Sequence, residues 1–361
     1  MGAATTRQSE RILAVAVAIW GTLAPVSADA GDKARGLAAV PLVIAHRGAS
    51  GQRPEHTLEA YRLAIEQGAD SVEPDLVSTK DGVLVARHEN EISGTTDVSA
   101  HPEFAARRTT KVVDGVSESG WFTEDFTLAE LKTLYARERL PQLRGTSFDD
   151  RFRVPTLQEV IDLVAVMNGR LHREGAQRIG IYPETKHPTY FDGIGLSLEE
   201  PLIRTLAANG LNVEGAPVFI QSFESANLRQ LRAMTPLPLI QLIAAEGSSK
   251  DLLTPAGLAG IAKYAKGIGV DKNLIVPRDA GNHLLAPTTL IRDAHAAGLW
   301  VHGWTFRAEN NFLPVDFRIG TDPAALGDLA GEITLFLELG IDGIFTDFPG
   351  IGVAVRDRFE K

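Results

Sequence analysis

Glu73-Pro74-Asp75 is the pattern in this sequence that most constrains its chemistry. The two acids sit in the stretch Ser71–Val77, which reads as a strand, and residues two apart on a strand project to the same side. Carboxylates held side by side repel each other and lose hydration unless a cation lies between them. A third acid, Glu184, ends the run Ile181-Tyr182-Pro183, and Lys186 follows on the same side, placed to hold a phosphate oxygen. Three carboxylates in a chain without cysteine make an all-oxygen site, which suits a divalent cation such as Ca²⁺ or Mg²⁺ better than Zn²⁺. A cation held there would lower the pKa of a bound hydroxyl and offset charge on a phosphate.

His46 and Arg47 come directly after the apolar run Val40–Ala45, and His88 closes the extended piece Val83–Arg87. Two histidines at strand ends would serve as general acid and general base around a phosphorus centre. The remaining histidines, His56, His101, His172, His187, His283, His295 and His302, carry no such pattern and read as structural or exposed.

The elements that must position these groups alternate. Strands are predicted at Leu42–Ala45, Ser71–Val77, Arg178–Tyr182, Pro217–Gln221, Leu237–Leu242, Gly267–Val270, Leu299–Thr305 and Asp342–Thr346. Helical periodicity or caps appear at Thr57–Gln67, at Thr156 to Met167, and at Glu199–Ala208, Ser225–Met234, Pro287–Ala297 and Ala324–Leu339. Eight strands, each with room for a following helix, imply a parallel sheet and suggest closure into a (β/α)8 TIM barrel, an α/β fold, with the doubly wound open sheet as its competitor. In a barrel the C-terminal strand ends form the active face, where His46, Glu73, Asp75 and Glu184 would all lie. The stretch Ile92–Pro155, with one predicted helix at Thr127–Ala136, interrupts the rhythm and reads as a subdomain inserted over that face.

The chain has 361 residues, 44% of them apolar, enough for one large α/β domain or two smaller ones. A formal net charge of −10 argues against nucleic-acid binding, and it requires local cations at any site for an anionic phosphate. At the N-terminus, Arg7 and Arg11 precede an apolar run from Ile12 to about Val26, and Ala28-Asp29-Ala30 follows. That order predicts a signal peptide over residues 1–30 and a periplasmic or secreted product, residues 31–361, without a stable membrane span. The run is shorter than the roughly 20 residues a spanning helix needs. No oligomeric state is implied.

Taken in order, His46-Arg47-Gly48, Pro54-Glu55-His56-Thr57, Glu73-Pro74-Asp75, His88, Glu184-x-Lys186, Gln221-Ser222-Phe223, Trp304-Thr305 and Thr346-Asp347-Phe348-Pro349 resemble the glycerophosphodiester phosphodiesterases. The resemblance runs from about Leu42 to Gly350, and its form is closest to the periplasmic branch of that family. It implies that Glu73, Asp75 and Glu184 are metal ligands, that His46 and His88 are the acid–base pair, and that Arg47 and Lys186 bind phosphate. It further implies that Glu55 supports the site and that Phe223 and Trp304 wall a glycerol pocket. The implied reaction, part of glycerol and lipid metabolism, is hydrolysis of a small glycerophosphodiester to glycerol 3-phosphate and an alcohol. It would run through a cyclic phosphate or by direct attack of water. A lysophospholipase D- or sphingomyelinase D-like enzyme on the same barrel is the alternative. Where many members have Asp after the second histidine, this chain has Glu89.

Overall fold

The computed structural model describes residues 40–174, 178–246 and 249–359. The predicted signal peptide and its cleavage site lie outside them. Eight parallel strands form the centre: β1 (Leu42–His46), β2 (Ser71–Glu73 continued by Asp75–Ser78) and β3 (Gly180–Ile181 continued by Glu184–Thr185) come first. Then follow β4 (Ile220–Ser222), β5 (Leu239–Ile243), β6 (Gly267–Asp271), β7 (Trp300–Phe306) and β8 (Gly343–Thr346). Each pairs with the next, and β8 returns to β1 with Leu42 opposite Gly343, so the sheet is a closed barrel rather than an open one.

The breaks in β2 and β3 have one cause. Pro74 and Pro183 lack the N–H a ladder needs. Their carbonyls still accept from Glu184 N and Gln221 N, both at 3.0 Å, so pairing continues across the breaks.

Alternation along β1 aims the first histidine. Val43 and Ala45 pack outward in the core beneath the helices, whereas Ile44 joins Tyr182, Ile240 and Phe345 inside the barrel. His46, two residues past Ile44, therefore projects inward at the C-terminal mouth.

Helices Leu58–Glu66, Leu157–Glu174, Glu199–Ala208, Ser225–Arg232, Leu290–Ala296, Leu329–Glu338 and Pro349–Phe359 cover the barrel. The helix expected from Ala324 begins only at Leu329, because Asp328 caps it through Gly331 N. Pro255–Ile261, capped by Thr254, is an additional helix without a predicted counterpart; its two glycines lower helix propensity.

In the inserted stretch the expected Thr127–Ala136 helix is one turn, Leu128–Leu131. Its capping box is present, but Tyr135 and Ala136 are extended and bridge Arg153 and Thr96, so pairing overrides local propensity. The hairpin Thr109–Val113 with Val116–Gly120 was also unforeseen. It turns at Asp114-Gly115, both with left-handed φ, the residue pair a two-residue hairpin favours. Ile92, Val98, Phe104, Trp121, Phe126 and Leu131 join the same apolar core as the barrel helices. No helix among the described residues is long and apolar enough to cross a membrane.

Candidate active site

Glu73, Asp75 and Glu184 meet at the barrel mouth with one oxygen of each lying within 4.8 Å of the others, and all three are buried. β2 and β3 bring them together through the Asp75–Glu184 register pair. Glu73 accepts from Arg47 N at 2.7 Å and from Gln221 Nε2 at 3.1 Å. Asp75 Oδ1 is buried without a partner. Burial and the neighbouring Asp75 and Glu184 charges push the Glu73 pKa well up. Burial, resisted by Lys186, pushes Glu184 up to about 8. Asp75 goes the other way, because His56, Lys186 and Arg47 outweigh its burial. Mutually repelling buried carboxylates with an unpaired oxygen fit a divalent cation.

The turn after β1 places Arg47. Its φ is +61°, Gly48 follows at +86°, and a Cβ on Gly48 would stand 2.7 Å from Ala60 C. Only glycine fits there. The Arg47 guanidinium lies 2.9 Å from Glu55 Oε2 and 3.4 Å from Asp75 Oδ2, and Glu55 also accepts from Arg139 Nε at 2.8 Å. Glu55 thus holds the arginine rather than meeting the carboxylate cluster. Fully buried Arg87 donates to the Glu55 and His56 carbonyls, both at 2.9 Å, and fixes their loop.

His56, expected from the sequence to be structural or exposed, touches the cluster directly. Its Nε2 is 2.9 Å from Asp75 Oδ2 and its Nδ1 2.7 Å from the Tyr61 hydroxyl. Burial lowers its pKa, so the neutral ring donates from Nε2 to Asp75 and accepts from Tyr61.

Each predicted catalytic histidine has an acidic partner. His46 Nδ1 is 2.6 Å from Asp347 Oδ1, at the end of neighbouring β8. Asp347 Oδ2 in turn accepts from Arg144 Nη2 at 2.5 Å and Arg307 Nε at 2.9 Å. Burial and then Arg47 lower His46 to about 4, against the pull of Asp347. His88 Nδ1 is 2.8 Å from Glu89 Oε1, so Glu89 fills the orienting position here. His187 Nε2 approaches Glu89 Oε2 at 2.8 Å, and its Nδ1 lies 2.6 Å from Asp114 of the inserted hairpin. Burial, Arg47 and Lys186 lower His88 to about 3. In the sequence Asp347 stands only as part of the motif Thr346-Asp347-Phe348-Pro349. The signal for it was the one used for His46, a polar residue directly after a buried strand.

These side chains open on one cavity of about 250 Å³. His46, Arg47, Glu73, His88, Glu184 and Lys186 line it, and Phe223 and Trp304 form a wall, edge to face at 5.9 Å. Asp75 and Glu55 stand behind this surface. The other lining residues include Asp271, Lys272, Asn273, Arg278 and Arg307, from β6, β7 and the loops that follow them. No residue of the Ile92–Pro155 insert is among the lining residues, although Arg139 and Arg144 reach the carboxylates behind it.

A family model described as the glycerophosphoryl diester phosphodiesterase family matches residues 46–351. Glycerophosphodiester phosphodiesterase GDPD6 of Arabidopsis thaliana is 38% identical over 331 residues, covering 86% of this chain and 84% of its own. The glycerophosphodiester phosphodiesterase of Haemophilus influenzae is 28% identical, with 95% of this chain and 97% of its own covered. Among solved structures, one described as a glycerophosphoryl diester phosphodiesterase from Silicibacter pomeroyi has a TM-score of 0.66 at 22% identity, covering 91% of this chain and 97% of its own. A phosphodiesterase from Oleispira antarctica, in complex with the product sn-glycerol-3-phosphate, has a TM-score of 0.58 at 21% identity, covering 88% and 97%. Both share the barrel fold.

Proposed function

Because the chain belongs to the glycerophosphoryl diester phosphodiesterase family, we propose that it hydrolyses glycerophosphodiesters, glycerophosphocholine and glycerophosphoethanolamine among them, to glycerol 3-phosphate and an alcohol. The observation that carries this reading is the convergence of two histidines, a carboxylate cluster and the cations Arg47 and Lys186 on one cavity.

Glu73, Asp75 and Glu184 would hold a divalent cation, Ca²⁺ or Mg²⁺, with the unpartnered Asp75 Oδ1 as a free ligand atom. When bound, such an ion supplies charge neutralisation at a phosphate oxygen and acidifies a nearby hydroxyl. Arg47 and Lys186 offset the remaining phosphate charge, which answers the problem set by a net charge of −10. Of His46 and His88, one removes the proton of the attacking hydroxyl or water and the other protonates the departing alcohol oxygen. Asp347 and Glu89 orient the rings and stabilise the imidazolium each forms in turn. Phe223 and Trp304 wall the glycerol half of the substrate.

Incubating the purified protein with glycerophosphocholine and with lysophosphatidylcholine, each with Ca²⁺, Mg²⁺ or EDTA, tests this. Glycerol 3-phosphate from the first substrate, lost in EDTA and restored by a divalent ion, is expected. Cleavage of the lysophospholipid alone would replace this reading with the lysophospholipase D alternative, and full turnover in EDTA would remove the metal. We also propose export to the periplasm or medium, on the order of Arg7, Arg11, the apolar run and Ala28-Asp29-Ala30. Sequencing the N-terminus of the mature protein checks it.

A further inference from the structure

The cavity has a second polar end that the reaction chemistry leaves unused. Asp271, Lys272 and Asn273 stand where β6 ends, and Arg278 lies on the loop that follows. Arg307 and Phe312 come from the loop after β7. In the closed ring, β6 and β7 lie across the barrel from β2 and β3, which carry the carboxylate cluster.

Two buried atoms at this end have no hydrogen-bond partner, Asn273 Oδ1 and Arg278 Nε; on the rest of the lining Arg47 Nε, Gln221 Oε1 and Trp304 Nε1 are in the same condition. A buried donor or acceptor without a partner has lost its hydration for nothing in return, so folded proteins keep few of them away from binding sites. An acceptor beside a donor matches a hydroxyl group, which both donates and accepts.

Charge narrows the ligand further. Lys272 and Arg278 share a single carboxylate, Glu332, with Lys272 Nζ at 2.7 and 2.8 Å and Arg278 Nη2 at 3.2 Å. Arg307 adds a third cation, and its Asp347 partner is also used by His46 and Arg144. Asp271 is the acid on this part of the lining, and it already accepts from Asn273 N at 2.8 Å. A quaternary ammonium group is held by open aromatic faces and surplus negative charge. Here the Phe312 ring is covered by the Arg307 guanidinium at 4.6 Å, and cations predominate.

We infer that this end binds the second alcohol of the diester and selects a neutral polyol, glycerol or inositol in class, over choline or ethanolamine. The inference rests on the phosphodiesterase reading above and specifies its substrate. Its test compares kcat/KM for glycerophosphoglycerol, glycerophosphoinositol and glycerophosphocholine with the wild-type protein in Ca²⁺ or Mg²⁺. A preference of at least about tenfold for the polyol diesters is expected, because a site built to bond hydroxyls rejects a group that lacks them. Asn273→Ala and Arg278→Met, checked for folding by circular dichroism, should each bring that ratio towards one. A choline diester cleaved as well as the polyol diesters overturns the inference, and so does a ratio unchanged in both folded variants. Absence of glycerol 3-phosphate from all three substrates instead removes the phosphodiesterase reading, and this one with it.

Discussion

His46 and His88 each commit one ring nitrogen to a carboxylate, Asp347 and Glu89, leaving the other nitrogen available. His46→Ala and His88→Ala should therefore lower kcat by about 10²–10⁴-fold while leaving the circular dichroism spectrum intact. Near wild-type turnover in both would reject the pair. Burial, Arg47 and Lys186 lower His88 to about 3, and a bound cation would push the same way. The ring is then neutral and able to accept a proton well below pH 6.5. kcat/KM should therefore show no acid limb centred at 6.5, and such a limb would contradict that assignment. The carboxylate cluster allows a test without turnover. Ca²⁺ at about 100 times its Kd should raise wild-type stability by about 2.7 kcal/mol, read as a higher Tm, and Asp75→Asn should lose most of that rise. Glu73 and Asp75 were legible in the sequence because strand geometry fixes residues two apart. His56 was not, since it meets Asp75 only through the fold, 19 residues away along the chain; Asp347 carries the strand-end signal, but its pairing with His46, 301 residues away, comes only from barrel closure.

The element that matters most for Arg47 is the turn between β1 and the helix Leu58–Glu66. Gly48→Ala forces a Cβ to within 2.8 Å of the Ala60 Cβ at a φ of +86°. It should cost about 2 kcal/mol or more in urea unfolding. It should also reduce kcat/KM, because moving Arg47 disturbs its contacts with Glu73 and Asp75. Wild-type stability in that variant would mean the turn adapts. Strands were readable because each apolar run ends in polar residues at the barrel mouth. Element ends were read less well where tertiary pairing decides them, as at Tyr135 and Ala136 after the capped turn. The Asp114-Gly115 hairpin did have a local signal, a turn-forming pair between Val112-Val113 and Val116. The far end of the cavity had none, because Lys272, Arg278 and Arg307 reach one space only once the loops after β6 and β7 fold together.

For the whole molecule, barrel closure turns a chain of net charge −10 into one whose mouth gathers Arg47, Lys186, Lys272, Arg278 and Arg307. The same closure removes His302 from water. It sits inside the barrel with Nδ1 2.8 Å from the Tyr182 hydroxyl. Burial holds the Tyr182 pKa well up, so that hydroxyl donates and His302 accepts as a neutral ring. Burial also lowers His302 from 6.5 to about 4. As pH falls through 6.5 the unfolded chain takes up this proton first, while the folded protein resists it until about 4. Between those values the unfolded state binds more protons, so folding stability declines with falling pH. Below about 4 both states are protonated and this contribution no longer changes. The shift corresponds to roughly 3 kcal/mol over that window. His302→Gln keeps an acceptor for Tyr182 and removes the titration. Urea unfolding at pH 6.5 and pH 4 should show the wild type losing about 2–3 kcal/mol more than this variant. Equal losses in the two proteins would mean that water reaches His302, and that the barrel interior is less closed than its packing around Tyr182, Phe219 and Trp300 implies.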